Sequence, residues 1–309
     1  MIIDMDGGID DALALILALR SPEIEVAGIT AVSGNVPVEQ AAINALRVVE
    51  LLERPDVWVA EGLARPLARD PIRAFNFHGR DGLGDSHLPL PKLRPTAKTA
   101  LNAMSETLTS AKKHEVTIIC TGPLTNLASL LIESPHVKSR IEEIVVMGGA
   151  YGITKYGVGN ETPVAEFNIY SDPEAAKIVF DSDVALRAVG LDVTTIPQLE
   201  IVKKDYARIR KSKGKTSMFA TRILENNIRA HGRFTLHDPM AVAVKIMPSF
   251  YRFSDCRVAI ETKGEYTTGM TVADRRDLKE DQLLGGPVMV CSDVDPGFKR
   301  LFLDRLTGS

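Results

Sequence analysis

Short apolar runs alternate along the chain with longer windows of helical spacing. The runs that predict buried strands cover residues 2–3, 26–32, 57–59, 116–120, 144–147 and 185–189. The windows that predict helices cover residues 10–19, 38–52, 96–112 and 173–180. Near-continuous apolar strands indicate a sheet covered on both faces, and strand–helix alternation indicates parallel strands. The pattern therefore predicts an α/β fold, a mostly parallel central sheet flanked by helices, as a single domain over residues 1–309.

Two other segments change this picture little. Residues 70–95 are predicted as a long irregular stretch, which in compact α/β domains often carries function. Residues 203–231 are rich in Lys and Arg at helical spacing, and we interpret them as a solvated helical face. In parallel sheets ligands bind at the carboxyl ends of the strands, so candidate chemistry is sought there.

Composition excludes several classes of protein. The chain has 309 residues, 45% of them apolar and 25% charged, with a formal net charge of -3, and no polybasic block points to nucleic acid or to a membrane surface. No apolar run is long enough to span a bilayer. The three cysteines form no CxxC pair and no disulfide framework, so reduced thiols are expected. Because residues 1–6 do not resemble a signal peptide, we expect a cytoplasmic protein.

Four aspartates fall within eight residues, directly after the first predicted strand. These are Asp4, Asp6, Asp10 and Asp11. Carboxylates this close repel one another and raise one another's pKa unless a cation neutralises them. Helix capping accounts for one or two of the four. The segment therefore predicts a hard-cation site, and oxygen ligands favour Mg²⁺ or Ca²⁺ over Zn²⁺.

Polar segments also follow later strands, and each one alone could be a turn, a cap or a loop. They contain Asn35, Thr121, the pair Gly148–Gly149, the segment 160–168, and His237 with Asp238. His237 is a candidate general acid near neutral pH. A metal, several carboxylates, amides and one histidine at element ends fit metal-assisted hydrolysis of a polyhydroxy substrate.

Within the segment 160–168, Glu166 and Asn168 alternate around Phe167. On an extended backbone both polar side chains would face the same way. A carboxylate beside an amide suits the recognition of hydroxyl groups, because one only accepts and the other both donates and accepts. The segment therefore predicts hydroxyl binding on an extended backbone, with a polar loop as the alternative.

Together these segments resemble the inosine-uridine-preferring nucleoside hydrolases, from residue 1 to about residue 300. The run Asp4-Met5-Asp6-Gly7-Gly8-Ile9-Asp10-Asp11 resembles the amino-terminal aspartate cluster of that family. Counterparts of other family motifs follow in the same order at residues 33–35, 78–84, 121–126, 147–149, 160–168 and 237–239. The resemblance implies an open, Rossmann-like fold and the hydrolysis of ribonucleosides to free base and ribose with a tightly bound Ca²⁺.

The resemblance also implies the roles of individual residues. The ion would be held by Asp6, Asp11, Asp238 and the carbonyl of Thr121. Asp10 would be the general base that deprotonates the water on the ion, and it would touch the 2'-hydroxyl. The other substrate contacts would come from Asn35 to the water or ribose, Asn160 and Glu166 to the 5'-hydroxyl, Asn168 to the 3'-hydroxyl, Met147 and Phe167 in the pocket, and His78 and His237 near the base. His237 would be the acid for the leaving group.

This sequence departs from the family pattern at two places. The family usually has Pro where this chain has Gly7, and since Pro fixes φ, we expect a looser turn. The family often carries Tyr and Arg before the His-Asp pair, where this chain has Asn226, Asn227, Arg229, His231 and Arg233 and no Tyr. The base preference stays open at this point.

Other readings of the same residues remain. The chain could hydrolyse an atypical or modified nucleoside, or be a nucleoside-binding homologue without catalysis. The opening residues also resemble haloacid-dehalogenase-type phosphatases, in which Asp4 would be the nucleophile and Asp6 the acid/base, with Mg²⁺. The nucleoside hydrolase resemblance further implies a homo-oligomer, a dimer or a tetramer.

Overall fold

The computed structural model describes residues 1–308, apart from the side chain of Glu280. Within these residues the strands are β1 (Ile2–Met5), β2 (Gly28–Ala31), β3 (Trp58–Glu61), β4 (Val116–Cys120), β5 (Ile141–Met147), β6 (Leu186–Val189), β7 (Ile201–Val202), β8 (Arg233–Phe234), β9 (Tyr251–Ile260), β10 (Thr271–Asp274) and β11 (Gly286–Val294).

The helices cover the faces and the ends of the sheet. They are α1 (Ile9–Leu19), α2 (Val38–Leu51), α3 (Phe75–His78), α4 (Ala100–Ser110), α5 (Thr125–Glu133), α6 (Phe167–Ser171), α7 (Pro173–Phe180), α8 (Leu191–Thr194), α9 (Lys203–Lys211), α10 (Lys215–His231), α11 (His237–Ile246) and α12 (Gly297–Thr307). Short 3-10 helices span Pro135–Arg140, Pro197–Leu199, Pro248–Phe250 and Glu280–Gln282. None of the helices in the described residues is long and apolar enough to cross a membrane.

Nine of these strands form one sheet in the order β10-β9-β11-β6-β5-β4-β1-β2-β3. All neighbours from β3 through β11 are parallel, and β9 and β10 add antiparallel pairs at one edge. β7 and β8 pair separately as a small antiparallel ribbon. The predicted α/β fold with a mostly parallel sheet is confirmed.

The chain reverses direction across the sheet at β1. It runs outward through β2 and β3 and then returns to place β4 on the other side of β1, so that Asp4 is paired with Thr30 and with Cys120. Ligands of open α/β sheets bind in the crevice beyond the carboxyl ends of the strands at such a reversal. The aspartates after β1 and Thr121 after β4 therefore meet at this crevice.

Helix α1 follows the aspartate turn and is buried on every side. Its residues Ile9 through Ala18 are all buried, and it packs between α2, α10, α11 and α12. Burial of a side chain such as Leu13 or Ile16 stabilises the fold by about 1.5–3 kcal/mol. This packing holds the first turn of α1, and with it Asp10 and Asp11, in a fixed place below the crevice.

The predicted elements agree with the structure except at a few boundaries. The predicted helix over 96–112 begins only at Ala100, because the hydroxyl of Thr99 caps it by accepting from the backbone N–H of Asn102 at 3.3 Å. The irregular stretch 70–95 contains the single turn α3. Residues 203–231 form two helices, and α10 buries Phe219 and Ile223, so this region is more than a solvated face.

Asn126 ties the reversal point together. Its Nδ2 donates to Asp4 Oδ1 at 2.8 Å and to the Ala31 carbonyl at 3.0 Å, while its Oδ1 accepts from the Leu63 N–H at 2.8 Å. The side chain is fully buried. It therefore links β1, the end of β2 and the segment after β3.

We expect Asn126→Ala to lower the free energy of unfolding by roughly 3 kcal/mol, because several buried polar groups lose their partner. Denaturant titration measures this value. Asn102→Ala, on the exposed face of α4, is the matched control and should change the free energy of unfolding by less than about 0.5 kcal/mol. Equal values for the two variants would contradict the role given to Asn126.

Candidate active site

A cavity of about 350 Å³ lies at the crevice beyond β1, β4 and β5. Its lining includes eleven of the residues predicted from the sequence, namely Asp10, Asn35, His78, Thr121, Met147, Asn160, Glu166, Phe167, Asn168, His237 and Asp238. Asp6 and Asp11 lie buried beside it without lining it. A larger cavity of about 1280 Å³ beside β6, β9 and β11 contains none of the predicted site residues.

Three buried carboxylates converge at and directly below the floor of the smaller cavity. Asp10, Asp11 and Asp238 each offer an oxygen, and these oxygens all lie within 4.8 Å of one another. Asp10 Oδ1 is buried and has no hydrogen-bond partner in the described part of the chain. Among the same residues no lysine or arginine forms a salt bridge with any of the three. The arrangement leaves negative charge that the protein itself does not neutralise.

Burial governs how these groups ionise. It raises the pKa of Asp10 to about 8, with a further contribution from the charge of Asp11. Burial also raises the pKa of Asp238 well above its usual range, and the charges of Asp10, Asp11 and Asp6 act in the same direction. Each carboxylate thus lacks a compensating positive charge, which is the condition that a bound cation would remove.

Asp6 is braced from the loop after β2. Its Oδ2 accepts from the backbone N–H of Asn35 and its Oδ1 accepts from Asn35 Nδ2, both at 2.8 Å. The approach is so close that a Cβ at Gly34 would lie 2.0 Å from Asp6 Oδ2, and only glycine fits there. Asn35 therefore fixes the orientation of Asp6 while also lining the cavity.

Asp11 is held from two sides. Its Oδ2 accepts from the backbone N–H of Gly8 at 2.7 Å, and its Oδ1 accepts from Thr121 Oγ1 at 2.6 Å. Thr121 lines the cavity, and its carbonyl, which is predicted as a metal ligand, accepts from Asn168 Nδ2 at 3.0 Å. Thr121 thus connects Asp11, through its hydroxyl, to Asn168, through its carbonyl.

Asp4 stands apart from the other aspartates. It lies within β1, is fully buried, and its Oδ1 accepts from Thr30 Oγ1 at 2.6 Å and from Asn126. Burial raises its pKa to about 7. Asp4 is fully buried and does not line the cavity, so it is not placed to act as the nucleophile that the phosphatase interpretation requires.

Gly7 adopts a conformation that the comparison with proline did not anticipate. Its φ is +84°, far from the value of about -65° that proline imposes, and a Cβ here would lie 2.6 Å from Ala41 Cα. The turn is therefore a closely packed left-handed one that requires glycine. The prediction that Gly7 loosens this turn is therefore wrong, because the backbone follows a different path that proline could not adopt.

The segment around Phe167 is helical and not extended as predicted. Glu166 caps α6: its Oε1 accepts from the Asn168 N–H at 2.9 Å, and its Oε2 accepts from the N–H groups of Ile169 and Gly149 at 3.1 and 3.0 Å. This capping starts the helix, because the carboxylate satisfies backbone donors that an extended segment would leave open. Glu166, Phe167 and Asn168 nevertheless all line the cavity.

Asn160, further along the same wall, is exposed, and its Oδ1 accepts from the Phe167 N–H at 3.0 Å. Asn168 Nδ2 also donates to the Met147 carbonyl at 3.1 Å, which leaves the amide oxygen of Asn168 free of these contacts. These bonds fix the two amides on one side of the cavity. The predicted combination of a carboxylate with amides is therefore present on this wall, at the N-terminus of α6.

Two histidines line the cavity, and each is held through Nδ1. The Ile9 N–H donates to His78 Nδ1 at 3.1 Å, and His237 Nδ1 lies 2.8 Å from Thr194 Oγ1. Burial lowers the pKa of His78 to about 3, with His237 acting in the same direction, and burial lowers the pKa of His237 to about 4. Both rings are therefore neutral near pH 7 and can offer an N–H as a hydrogen-bond donor.

Five lining residues were not predicted from the sequence. They are Ala74, Phe77, Glu161, Thr195 and Thr235. Phe77 packs at 5.7 Å from Phe234 between ring centroids, and its carbonyl accepts from Asn227 Nδ2 at 2.9 Å. An aromatic residue directly before a candidate histidine in a long polar stretch was a signal that could have been used. The polar residues 226–233 do not line the cavity themselves.

The fold and this site define a member of a known class of enzyme. A family model described as inosine-uridine preferring nucleoside hydrolase matches residues 1–299. The chain therefore belongs to the inosine-uridine preferring nucleoside hydrolase family, and it is a ribonucleoside hydrolase.

Relatives match over nearly their whole length. The chain is 43% identical over 314 residues to the pyrimidine-specific ribonucleoside hydrolase RihA of Salmonella paratyphi C (strain RKS4594), covering 99% of this chain and 97% of that protein. Among solved structures it resembles the purine-preferring ribonucleoside hydrolase from Gardnerella vaginalis, with 33% identity, a TM-score of 0.88 and coverage of 99% and 98%. A plant nucleoside hydrolase has 31% identity, a TM-score of 0.89 and coverage of 100% and 98%.

The raised pKa of Asp10 predicts how the metal-free protein responds to pH. Between the ordinary value of 3.8 and about 8, the folded protein keeps a proton that the unfolded chain releases. The contribution of Asp10 to the free energy of unfolding therefore decreases as pH rises through this window, by up to about 1 kcal/mol per pH unit.

Denaturant unfolding of the chelator-treated wild type and Asp10→Asn, from pH 5 to pH 8, measures this contribution. The wild type should lose stability relative to the variant as pH rises. If the stability of the wild type minus that of the variant stayed constant or increased as pH rose, the assignment would be contradicted.

Proposed function

We propose that this enzyme hydrolyses the N-glycosidic bond of ribonucleosides in a Ca²⁺-dependent reaction, with Asp10 as the general base. The observation that carries the proposal is the cavity itself. It combines converging buried carboxylates on the floor, a carboxylate and amides on one wall, and two neutral histidines. A pentose with vicinal hydroxyls and a planar base supplies partners for all three groups.

The donor set fits a calcium ion. Carboxylate and carbonyl oxygens are the ligands that Ca²⁺ prefers, and the unpartnered Asp10 Oδ1 together with the uncompensated charge favours binding of a cation. Asp6, Asp11, Asp238 and the Thr121 carbonyl would hold it, with Asp10 adjoining them. Bound there, the ion would supply a Lewis acid that binds hydroxyl oxygens and makes water more acidic.

Asp10 is the residue best placed to take a proton. It lines the cavity, and its Oδ1 is free of hydrogen bonds to the protein, so it can accept one from a water or from a ribose hydroxyl. Asn35 lines the cavity beside it while donating to Asp6. We infer that Asn35 keeps the acidic floor ordered and adds a polar contact for the sugar or the water.

The wall of the cavity matches the remaining ribose hydroxyls. The oxygen of the Asn168 amide is left to accept, since its nitrogen donates to the Thr121 and Met147 carbonyls. Asn160 and Glu166 stand on the same wall, as proposed for the 5'-hydroxyl. Met147 and Phe167 supply apolar surface for the sugar. Cleavage builds positive charge on the sugar, which the surrounding carboxylates stabilise.

The departing base gains negative charge as the bond breaks, and hydrogen-bond donors near it lower the barrier. His78 and His237 are neutral at pH 7, so we assign them the role of N–H donors to the base. This role replaces proton donation by an imidazolium at His237, for which burial leaves no cation near neutral pH.

We propose that pyrimidine ribonucleosides are the preferred substrates. The support is the 42–43% identity to pyrimidine-specific relatives over almost the entire chain. A purine-preferring relative with a solved structure is 33% identical, so purine ribonucleosides are also assayed as substrates.

By resemblance to the family we also expect a homo-oligomer, a dimer or a tetramer, and a cytoplasmic location.

Base release from inosine, adenosine, guanosine, uridine, cytidine and their 2'-deoxy forms tests the reaction. We expect release from uridine and cytidine to be fastest, to stop with chelator and to return with Ca²⁺. The 2'-deoxy forms should release base at least roughly 10³-fold more slowly than the ribonucleosides, because the buried groups that bind the 2'-hydroxyl are left unpaired. Binding of nucleosides without release would instead indicate a non-catalytic homologue, and release confined to modified nucleosides would indicate an atypical substrate.

Asp10→Ala should lower kcat on the best ribonucleoside by at least about 10²-fold, the effect of losing a general base. Calcium-induced stabilisation in a thermal melt serves as the check that the variant remains folded and metal-bound. Asp56→Ala removes an exposed aspartate that forms a salt bridge with Arg54 and is the matched control, with unchanged kcat expected. Wild-type turnover by folded, metal-bound Asp10→Ala would contradict the assignment of Asp10.

A further inference from the structure

We propose that Thr194 is a positioning residue that fixes His237 in the tautomer whose Nε2–H faces the substrate base. This inference rests on the proposed function, because it assigns the donor that serves the leaving group. It concerns a residue outside the cavity lining, in a short helix that the sequence pattern did not single out.

Thr194 is fully buried at the end of α8, directly behind His237. Its Oγ1 lies 2.8 Å from His237 Nδ1, a distance typical of a good hydrogen bond. The backbone of α8 is itself held in place, since Asp192 accepts from the N–H groups of Tyr151 and Ile153, both at 2.8 Å. The threonine hydroxyl is therefore presented to the imidazole by a rigid element.

The direction of this hydrogen bond follows from the number of hydrogens available. A threonine hydroxyl has one hydrogen to donate, and in the described part of the chain Thr194 Oγ1 has no partner besides His237 Nδ1. If Nδ1 carried the proton, the hydroxyl would accept, and its own hydrogen would be left buried without an acceptor, which is unfavourable. Thr194 therefore donates to Nδ1.

The tautomer of the ring is then determined. In a neutral imidazole an acceptor at Nδ1 requires the proton at Nε2. Nε2 makes no hydrogen bond to the described residues, and His237 lines the cavity, so Nε2–H is the donor left for a ligand. As the C1'–N bond breaks, the oxygen of the attacking water bonds to C1' and its proton passes to Asp10. The electron pair of the broken bond moves to the base, and this N–H stabilises the resulting charge by hydrogen bonding without giving up its proton, so that the base takes up a proton from solvent.

The tautomer of the second histidine in the cavity, His78, is fixed in the same way by a hydrogen bond from the backbone. The Ile9 N–H can only donate, so His78 Nδ1 accepts at 3.1 Å and His78 also carries its proton on Nε2. The site thus presents two N–H donors, one fixed by a main-chain amide and the other by the hydroxyl of Thr194. Only the second can be removed by substitution of a side chain.

Kinetics with two leaving groups tests the inference. Thr194→Val keeps the shape of the side chain and removes the hydroxyl, and Thr194→Ser keeps the hydroxyl. Each is assayed on uridine and on 4-nitrophenyl β-D-ribofuranoside, whose leaving group departs without help from a donor. We expect Thr194→Val to lower kcat on uridine by about tenfold. This loss is smaller than the 10²–10³-fold typical when such a donor is deleted outright. On the nitrophenyl riboside the variant should lose less than about threefold in kcat.

Two controls separate positioning from a general loss of structure. Thr194→Ser should recover kcat on uridine to within about threefold of the wild type. Thr107→Val removes a helical hydroxyl that donates to the Ala103 carbonyl on α4, which contributes nothing to the cavity, and should leave both substrates unchanged. Equal losses by Thr194→Val on both substrates, or no loss on uridine, would overturn the inference.

A spectroscopic measurement decides the tautomer without depending on turnover. Nitrogen-15 spectra of the histidine-labelled protein, with the His237 signals assigned through His237→Asn, should show protonated Nε2 and unprotonated Nδ1 in the wild type. Thr194→Val should give a mixture of tautomers. A wild-type ring protonated at Nδ1 would overturn the inference even in an active enzyme. A wild type inert on both ribosides would contradict the proposed function, and the spectra would still decide the role of Thr194.

Discussion

The structure depends on one electrostatic constraint, the burial of several carboxylates at a single point of the sheet, where no lysine or arginine of residues 1–308 pairs with them. Asp10, Asp11 and Asp238 approach within 4.8 Å of one another, and burial raises the pKa of each. Such a cluster is unfavourable in a metal-free protein. Its position is set by the reversal of strand order around β1, where two chain segments can deliver acidic and carbonyl oxygens to one crevice.

Much of the surrounding structure keeps this cluster ordered. Asn35 holds Asp6 with two hydrogen bonds, and the Gly8 N–H and Thr121 hydroxyl hold Asp11. Glycine at position 34 allows the loop after β2 to reach Asp6. These contacts orient the oxygens before any ligand arrives, so that binding requires little rearrangement. They also leave Asp10 Oδ1 free of protein partners, which is what a general base requires.

Sequence reasoning reached the parts of the molecule that follow from local patterns. Apolar runs predicted β1 through β6. The rule that chemistry follows the strands, together with the family resemblance, predicted eleven of the residues that line the cavity. It failed where tertiary contacts decide. The capping of α6 by Glu166 turned an expected extended segment into a helix, and the strand context separated Asp4 from its neighbours in sequence. Phe77 and Thr194 were missed because their importance lies in contacts with distant elements.

The most direct test of the account is calorimetric titration of Ca²⁺ into chelator-treated protein, with Asp238→Asn alongside the wild type. If the buried carboxylates form the cation site, the wild type should bind one calcium ion per chain, and Asp238→Asn should bind it far more weakly, since a charged ligand is lost from a site that otherwise stays intact. Absence of saturable binding to the wild type, or equal affinity in the variant, would contradict the account.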